Sequence, residues 1–270
     1  MLRFLFWNLG RKASLNLLTM MVEEHDVDIL VLAEAGSFTP PVVVAELNSP
    51  PKPRPYHHAW PNISKRVHIF MRFARELVSP IFDSDRMTVR HFKLPGRSDF
   101  LLAGVHLASK LHVRDDQQAS RCVDMARDIR DQERKVGHQR TIVVGDFNMN
   151  PFEPGVAGAP GLNAVMSRAI AARGKRTVES RDHSFFYNPM WNHFGEQGRN
   201  PPGTYYYENS THLWNMFDQV LIRPELMSRF VEDSLTVVTS VGSEPLVSGS
   251  GLPRRGPVSD HLPLLFAIDV

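Results

Sequence analysis

The sequence has one cysteine, Cys122, which excludes an intramolecular disulfide and any cysteine-based zinc cluster. A reducing compartment suits such a chain, and Cys122 falls where an expected helix would bury it. No apolar run approaches the ~18 residues of a membrane span. The opening MLRFLFWNLGRK lacks the long apolar core and small-residue cleavage site of a secretory leader. PFEPGVAGAPG is rich in glycine and proline but does not fit the phosphate-binding pattern G-x-G-x-x-G, and no internal repeat of ~20–50 residues is evident. Charge of one sign is scarce too: 31 basic against 29 acidic residues give a formal +2, which permits an anionic partner without demanding one. The expectation is a soluble cytoplasmic monomer, with residues 1–270 forming one domain whose length allows a large core.

What is present is a recurring pattern, an apolar strand that ends in a polar group. Its fullest instance is TIVVGDFNMNP, Thr141 to Pro151. Ile142, Val143 and Val144 are β-branched or apolar and too short a run for a helix, so they read as a buried strand. Gly145 reads as the point where the backbone turns, delivering Asp146 and Asn148 to one side, where they suit one ion or one phosphoryl group. The bland alternative is an ordinary Asp/Asn turn. The same strand-end pattern recurs at FLFWN (Asn8), DILVLAE (Glu34), LLAGVH (His106), FDQVLI (Asp218) and SDHLPLLF (Asp260, His261), so these ends can converge on one site.

Two crossover units are legible. The first is strand Leu2 to Trp7, a helix capped by Ser14 that runs to about His25, and strand Asp28 to Ala33. The second is strand Phe100 to Val105, a helix opened by Asp115 and Asp116 with Ala119, Cys122, Val123, Ala126 and Ile129 at helical spacing, and the Ile142 strand. Strands are also expected at Val67 to Phe73, Met87 to Leu94, Met216 to Ile222, Leu235 to Thr239 and Leu262 to Ile268. Helices are expected at Val42 to Leu47 and about Leu162 to Ala172, and a flexible loop over Ser240 to Ser259. Basic residues punctuate the chain at Lys65, Arg66, Arg72, Arg173, Lys175, Arg176, Arg254 and Arg255, and aromatics crowd Phe185 to Phe217. Aromatics near basic groups can stack nucleobases, and they can equally be packing.

Gathered at one edge, Asn8, Glu34, Asp146, Asn148, Asp218 and Asp260 are all oxygen ligands, accompanied by histidines and no thiol. That donor set selects magnesium or manganese over zinc or copper. Such an ion keeps positions open for phosphate and water and stabilises the charge that grows in phosphoryl transfer. His261 can donate to the phosphate, and a carboxylate such as Asp218 can fix its tautomer.

FWNLG, LAEAG, GVHLASK, VVGDFNMNP, FDQVLI and VSDHLPL together resemble the endonuclease/exonuclease/phosphatase superfamily, the deoxyribonuclease-I-like fold, in order and over nearly the whole chain. The resemblance implies an α/β, four-layer α-β-β-α sandwich of two mixed β-sheets flanked by helices, and hydrolysis of a phosphate ester with Mg2+ or Mn2+. It implies metal ligation by Glu34 with Asn8 and Asp260, orientation or deprotonation of water by Asp146, and contact of Asn148 with phosphate and water. It further implies that His261 binds the scissile phosphate, with Asp218 as its partner, and that His106 lies near the leaving group. Arg254 and Arg255, shortly before Asp260, are the expected substrate-binding arginines. Gln219 departs from the family's tyrosine or basic residue at that position. A nuclease acting on nucleic acid is the favoured reading. The alternatives are a hydrolase of a small or lipid-borne phosphate ester and a catalytically silent binding module.

Overall fold

The computed structural model describes residues 1–12, 14–60, 66–111, 113–195, 201–256 and 258–270. The N-terminal apolar runs become β1 (Leu2–Asn8) and β2 (Ile29–Ala33), linked by α1 (Leu15–Glu24) and paired in parallel with Asn8 opposite Ala33. Ser14 Oγ accepts from the Leu17 amide at 3.2 Å and caps α1, whose Leu18, Met21 and Val22 form the buried face expected from their spacing. Then come α2 (Pro40–Leu47), β3 (His57–His58), β4 (Val67–Met71), β5 (Val78–Asp83) and β6 (Met87–Phe92). The second crossover is β7 (Phe100–His106), α3 (Asp115–Val136) and β8 (Thr141–Asp146), again with parallel strands. Short elements follow: α4 (Pro154–Ala157), β9 (Ala164–Val165), α5 (Arg168–Ala171), a hairpin of β10 (Lys175–Val178) and β11 (Arg181–Ser184), then β12 (Phe186–Tyr187) and the pair β13 (Tyr205–Tyr206) and β14 (Trp214–Asn215). The chain ends through β15 (Asp218–Ile222), α6 (Pro224–Met227), β16 (Phe230–Val237), a hairpin of β17 (Ser240–Val241) and β18 (Glu244–Pro245), and β19 (Leu264–Ile268).

Two mixed sheets result, of spatial order β16-β19-β1-β2-β4-β3 and β5-β6-β7-β8-β15-β12-β9. Alternation along each strand divides the apolar side chains between two cores. Phe100 and Leu102 of β7, Ile142 and Val144 of β8, and Val220 and Ile222 of β15 face the core between the sheets, where Phe100 lies edge-on to Phe4 at 6.3 Å. Leu101, Ala103, Val143 and Leu221 face the other way, under Cys122, Met125, Ala126 and Ile129 of α3. With α1 and α2 on the first sheet, the layers are helix, sheet, sheet, helix, as the resemblance implies.

Several local expectations are corrected. The helix expected from Leu162 to Ala172 is instead β9 and the single-turn α5. Val123 is exposed, and Met125 takes the core position, because Val123 lies about 100° round the helix from Cys122 while Met125, Ala126 and Ile129 follow at three, four and seven residues. The 240–259 segment contains the β17–β18 hairpin rather than structureless loop. Gly145 does not turn the chain: β8 continues to Asp146, and a Cβ at Gly145 would lie 1.9 Å from the Val105 carbonyl oxygen. Glycine is required there by the close approach of β7.

Candidate active site

The polar strand ends meet at one pole. Across β7, β8 and β15 the register sets His106 beside Asp146 and Asp146 beside Asp218, so three functional groups share one row. From the first sheet, Asn8 ends β1, and Glu34 follows β2. Asn8 Nδ2 donates to Asp146 Oδ2 at 2.9 Å and so ties one sheet to the other at the site. The turn before β19 is pinned to β1: Ser259 Oγ donates to the Asn8 carbonyl at 2.6 Å and accepts from the His261 amide at 3.0 Å. Trp7 Nε1 donates to the His261 carbonyl at 3.0 Å. Asp260 and His261 are thereby held over the ends of both sheets.

His261 Nδ1 lies 2.8 Å from Asp218 Oδ2, and its Nε2 is 4.0 Å from Asp146 Oδ2. Burial alone would lower its pKa, but the charge and hydrogen bond of Asp218, joined by Asp146 and Asp260, raise it to about 10. Burial raises the Asp146 carboxyl. Its Oδ1 accepts the Asn148 amide at 2.7 Å, and Oδ2 accepts Asn148 Nδ2 at 3.1 Å. His106 Nε2 lies 3.3 Å from Glu34 Oε1, and that contact lowers the Glu34 carboxyl despite partial burial. His106 Nδ1 is buried and has no hydrogen-bond partner among the described residues. Glu34 at φ 48° and Asn148 at φ 50° both hold left-handed backbone, a cost accepted at two positions of the same site.

Two arrangements of ligating atoms bear on a metal. The Asp146, Asp218 and His261 ligating atoms lie within 4.8 Å of one another, so this buried group could hold an ion. With Nδ1 bonded to Asp218 and its pKa raised, however, the imidazole is a cationic donor. The Glu34 and Asp260 carboxylates flank the Gly10–Arg11 turn instead. A Cβ on Gly10 would come within 2.8 Å of Asp260 Oδ1, and Arg11 Nε lies 3.5 Å from Glu34 Oε2. Two carboxylates and an amide oxygen are the donor type a hard divalent cation takes, and Asn8 Oδ1 here accepts the Gly10 amide at 3.0 Å. The other histidine-acid group, His91, Asp99 and His138, lies at the opposite ends of β7 and β8. There His138 Nδ1 accepts the Arg140 amide at 3.1 Å, so Nε2 carries the proton toward Asp99 and offers no lone pair.

Of the arginines before Asp260, Arg255 donates to the Tyr206 carbonyl beside the site, while Arg254 Nη1 turns to the Pro245 carbonyl at 3.1 Å. Lys175 is paired with Asp182, Arg176 donates to the Ala157 carbonyl, and Arg72 is paired with Asp26; none of the three lines the cavities at the site. Lys65 lies outside the described residues. Gln219 is buried, donating to the Met149 carbonyl at 2.6 Å and accepting from Asn188 at 2.8 Å. It braces the loop after Asp146.

Sequence reasoning missed two supporting residues. Gln118, buried on α3, donates to the Ala108 carbonyl at 2.7 Å and the Asn148 carbonyl at 3.2 Å, bracing the loops that follow His106 and Asp146. Its signal was a glutamine one turn before Cys122 on the apolar face of α3. Tyr205 lies against the His261 ring at 4.6 Å, an aromatic whose partner no local pattern names.

The fold and this row of groups define a class, and the chain belongs to it: the Endonuclease/Exonuclease/phosphatase family, whose model matches residues 5–261. Among solved structures it is similar to the endonuclease domain of TRAS1, a telomere-specific non-LTR retrotransposon, at TM-score 0.58 and 14% identity over 100% of this chain and 99% of that one. It is similar to the 3' phosphatase NExo from Neisseria bound to product DNA hairpin, at TM-score 0.58 and 14% identity over 100% of both chains. A third similarity is to D. rerio TDP2 complexed with single strand DNA product, at TM-score 0.55 and 15% identity over 100% of this chain and 99% of that one. No curated protein matches the sequence.

Proposed function

We propose that this protein hydrolyses phosphodiester bonds in nucleic acid with the help of a divalent metal ion, Mg2+ or Mn2+. One observation carries the reading: the His261–Asp218 pair turns the other imidazole nitrogen toward Asp146, with Glu34 directly after β2 and Asp260 in the turn before β19. Glu34, Asp260 and Asn8 would hold the ion, which when bound neutralises charge on the phosphate. His261, kept cationic by Asp218, donates to a phosphate oxygen and stabilises the charge that develops there. Asp146, held by Asn8 and Asn148, orients the attacking water and accepts its proton, while Asn148 contacts phosphate and water. His106, beside Glu34, serves the leaving-group oxygen. Arg255 borders the site and is assigned to backbone phosphates, with Arg254 as a more distant contact.

The similar folds solved with DNA support nucleic acid as the substrate class. The testing experiment is a panel of single-stranded DNA, duplex DNA, RNA and a small phosphate diester, each with Mg2+, Mn2+ or chelator, on the wild type and Glu34→Gln. Cleavage of a nucleic acid that needs the ion and is lost with Glu34→Gln is expected. Turnover unchanged by Glu34→Gln removes the metal assignment, and hydrolysis of the small diester alone moves the substrate class.

A further inference from the structure

Two cavities flank the catalytic row, and they share no lining residue. One, of about 680 Å3, is floored by Glu34 and His106. The other, of about 530 Å3, opens beside Asn148, and its chemistry is different. There the rings of Tyr205 and Phe217 lie nearly parallel, 5.4 Å apart at 21°. Phe152, 40% exposed, adds another ring and meets His212 edge-on at 5.4 Å. The deeper polar groups are already used: Asn150 Nδ2 donates to Asn215 Oδ1 at 3.0 Å, and the Asn150 amide donates to Glu153 Oε1 at 2.8 Å. At the rim, Asn209 and Thr211 are exposed, and no hydrogen bond is formed by either side chain with the described residues.

The geometry points to a nucleobase pocket: this cavity receives one unstacked base of the nucleotide carrying the scissile phosphate, with Phe152 as its stacking surface and Asn209 and Thr211 meeting its polar edge. The inference rests on the phosphodiesterase reading and narrows its substrate to single strands or frayed ends. An aromatic wall accepts any base, since every base has a π-face. An amide and a hydroxyl at the mouth suit the donor and acceptor edge of a heterocycle. A lipid chain would fill the same space while covering those polar groups without partners. A base still paired within a duplex cannot enter, and one at an unpaired or single-stranded position costs least to unstack. Tyr205 contacts both this wall and His261, so an occupied pocket abuts the catalytic imidazole.

The test uses a dinucleoside monophosphate and two analogues, each with one base replaced by hydrogen, on the wild type and Phe152→Ala. Removal of one particular base is expected to raise KM about tenfold, roughly the loss of one stacking contact. Phe152→Ala should produce the same rise on the intact compound and none on that analogue, with kcat kept. Equal effects on all three compounds, or none, overturn the pocket. A short-chain lipid phosphodiester that is the better substrate and loses KM with Phe152→Ala assigns the cavity to an acyl chain instead. Quenching of 2-aminopurine nucleotide by the protein in chelator is read independently of turnover. Quenching relieved by Phe152→Ala supports the pocket even where no diester is cleaved, which is the failure of the hydrolase reading alone. No quenching removes the pocket.

Discussion

His261 Nδ1 sits 2.8 Å from Asp218 Oδ2 and 3.1 Å from Oδ1, a bond between the turn before β19 and the first residue of β15 that spans the two sheets. A carboxylate in this position fixes which nitrogen faces Asp146 and stabilises the imidazolium. His261→Ala and Asp218→Asn should each lower kcat by roughly 10²–10⁴-fold, the range for a positioned acid–base group. Because the two act as a unit, the double variant should be little worse than His261→Ala alone. Single-turnover rates of the four proteins measure this, and fully additive losses would separate the pair.

Gln118 should act on catalysis without touching substrate. It is 1% exposed and donates to the carbonyls of Ala108 and Asn148. Gln118→Leu leaves both carbonyls buried without a donor, for a stability loss of about 1–3 kcal/mol. It should also lower kcat by about ten- to a hundredfold, as loss of outer partners of site residues does. Urea unfolding and kcat at a temperature where the variant is folded test both parts. A stability loss with kcat intact would restrict Gln118 to scaffolding.

At the other end of β8, the buried Glu133–Arg223 pair joins α3 to the residue that follows β15 through bonds of 2.8 and 3.1 Å, with Thr141 Oγ1 donating to the same carboxylate at 2.7 Å. Arg223 also stacks on Phe186 at 3.8 Å. Glu133→Ala strands a buried guanidinium and should destabilise by roughly 3–5 kcal/mol. Replacing both partners with methionine should cost less than the single change, since no unpaired charge remains. Denaturant midpoints of the single and double variants decide this.

His58 of β3 provides a pH dependence of stability. Burial, reinforced by His68, Arg90 and Arg75, lowers it from 6.5 to about 4. The folded protein therefore keeps it neutral while the unfolded chain takes up a proton below pH 6.5. Its contribution to stability is complete above that value and is lost as pH falls toward about 4. His58→Phe, placed against the Phe70 ring 5.2 Å away, should flatten the unfolding midpoint across this window. An unchanged slope in a pH series of thermal melts would assign the acid sensitivity elsewhere.

The sequence by itself determined the long strands, the two crossover helices and which polar groups bound them. Apolar runs bounded by Asn8, Glu34, His106, Asp146 and Asp218 declare strands and oxygen or imidazole groups, because alternation, chain stiffness and side-chain chemistry are properties of neighbouring residues. The tertiary structure decided which ends meet. Sheet order and register place His106, Asp146 and Asp218 in one row and bring Asn8 across from the other sheet. It gave Gly145 its actual reason, the Val105 carbonyl of the adjacent strand, which nothing in TIVVGDFNMNP contains. It also separated Arg255, beside Tyr206, from Arg254, turned to Pro245, although the two are adjacent in the chain. Such relations depend on contacts closed over long loops, whose partners are fixed only when both sheets pack and every strand takes its neighbour.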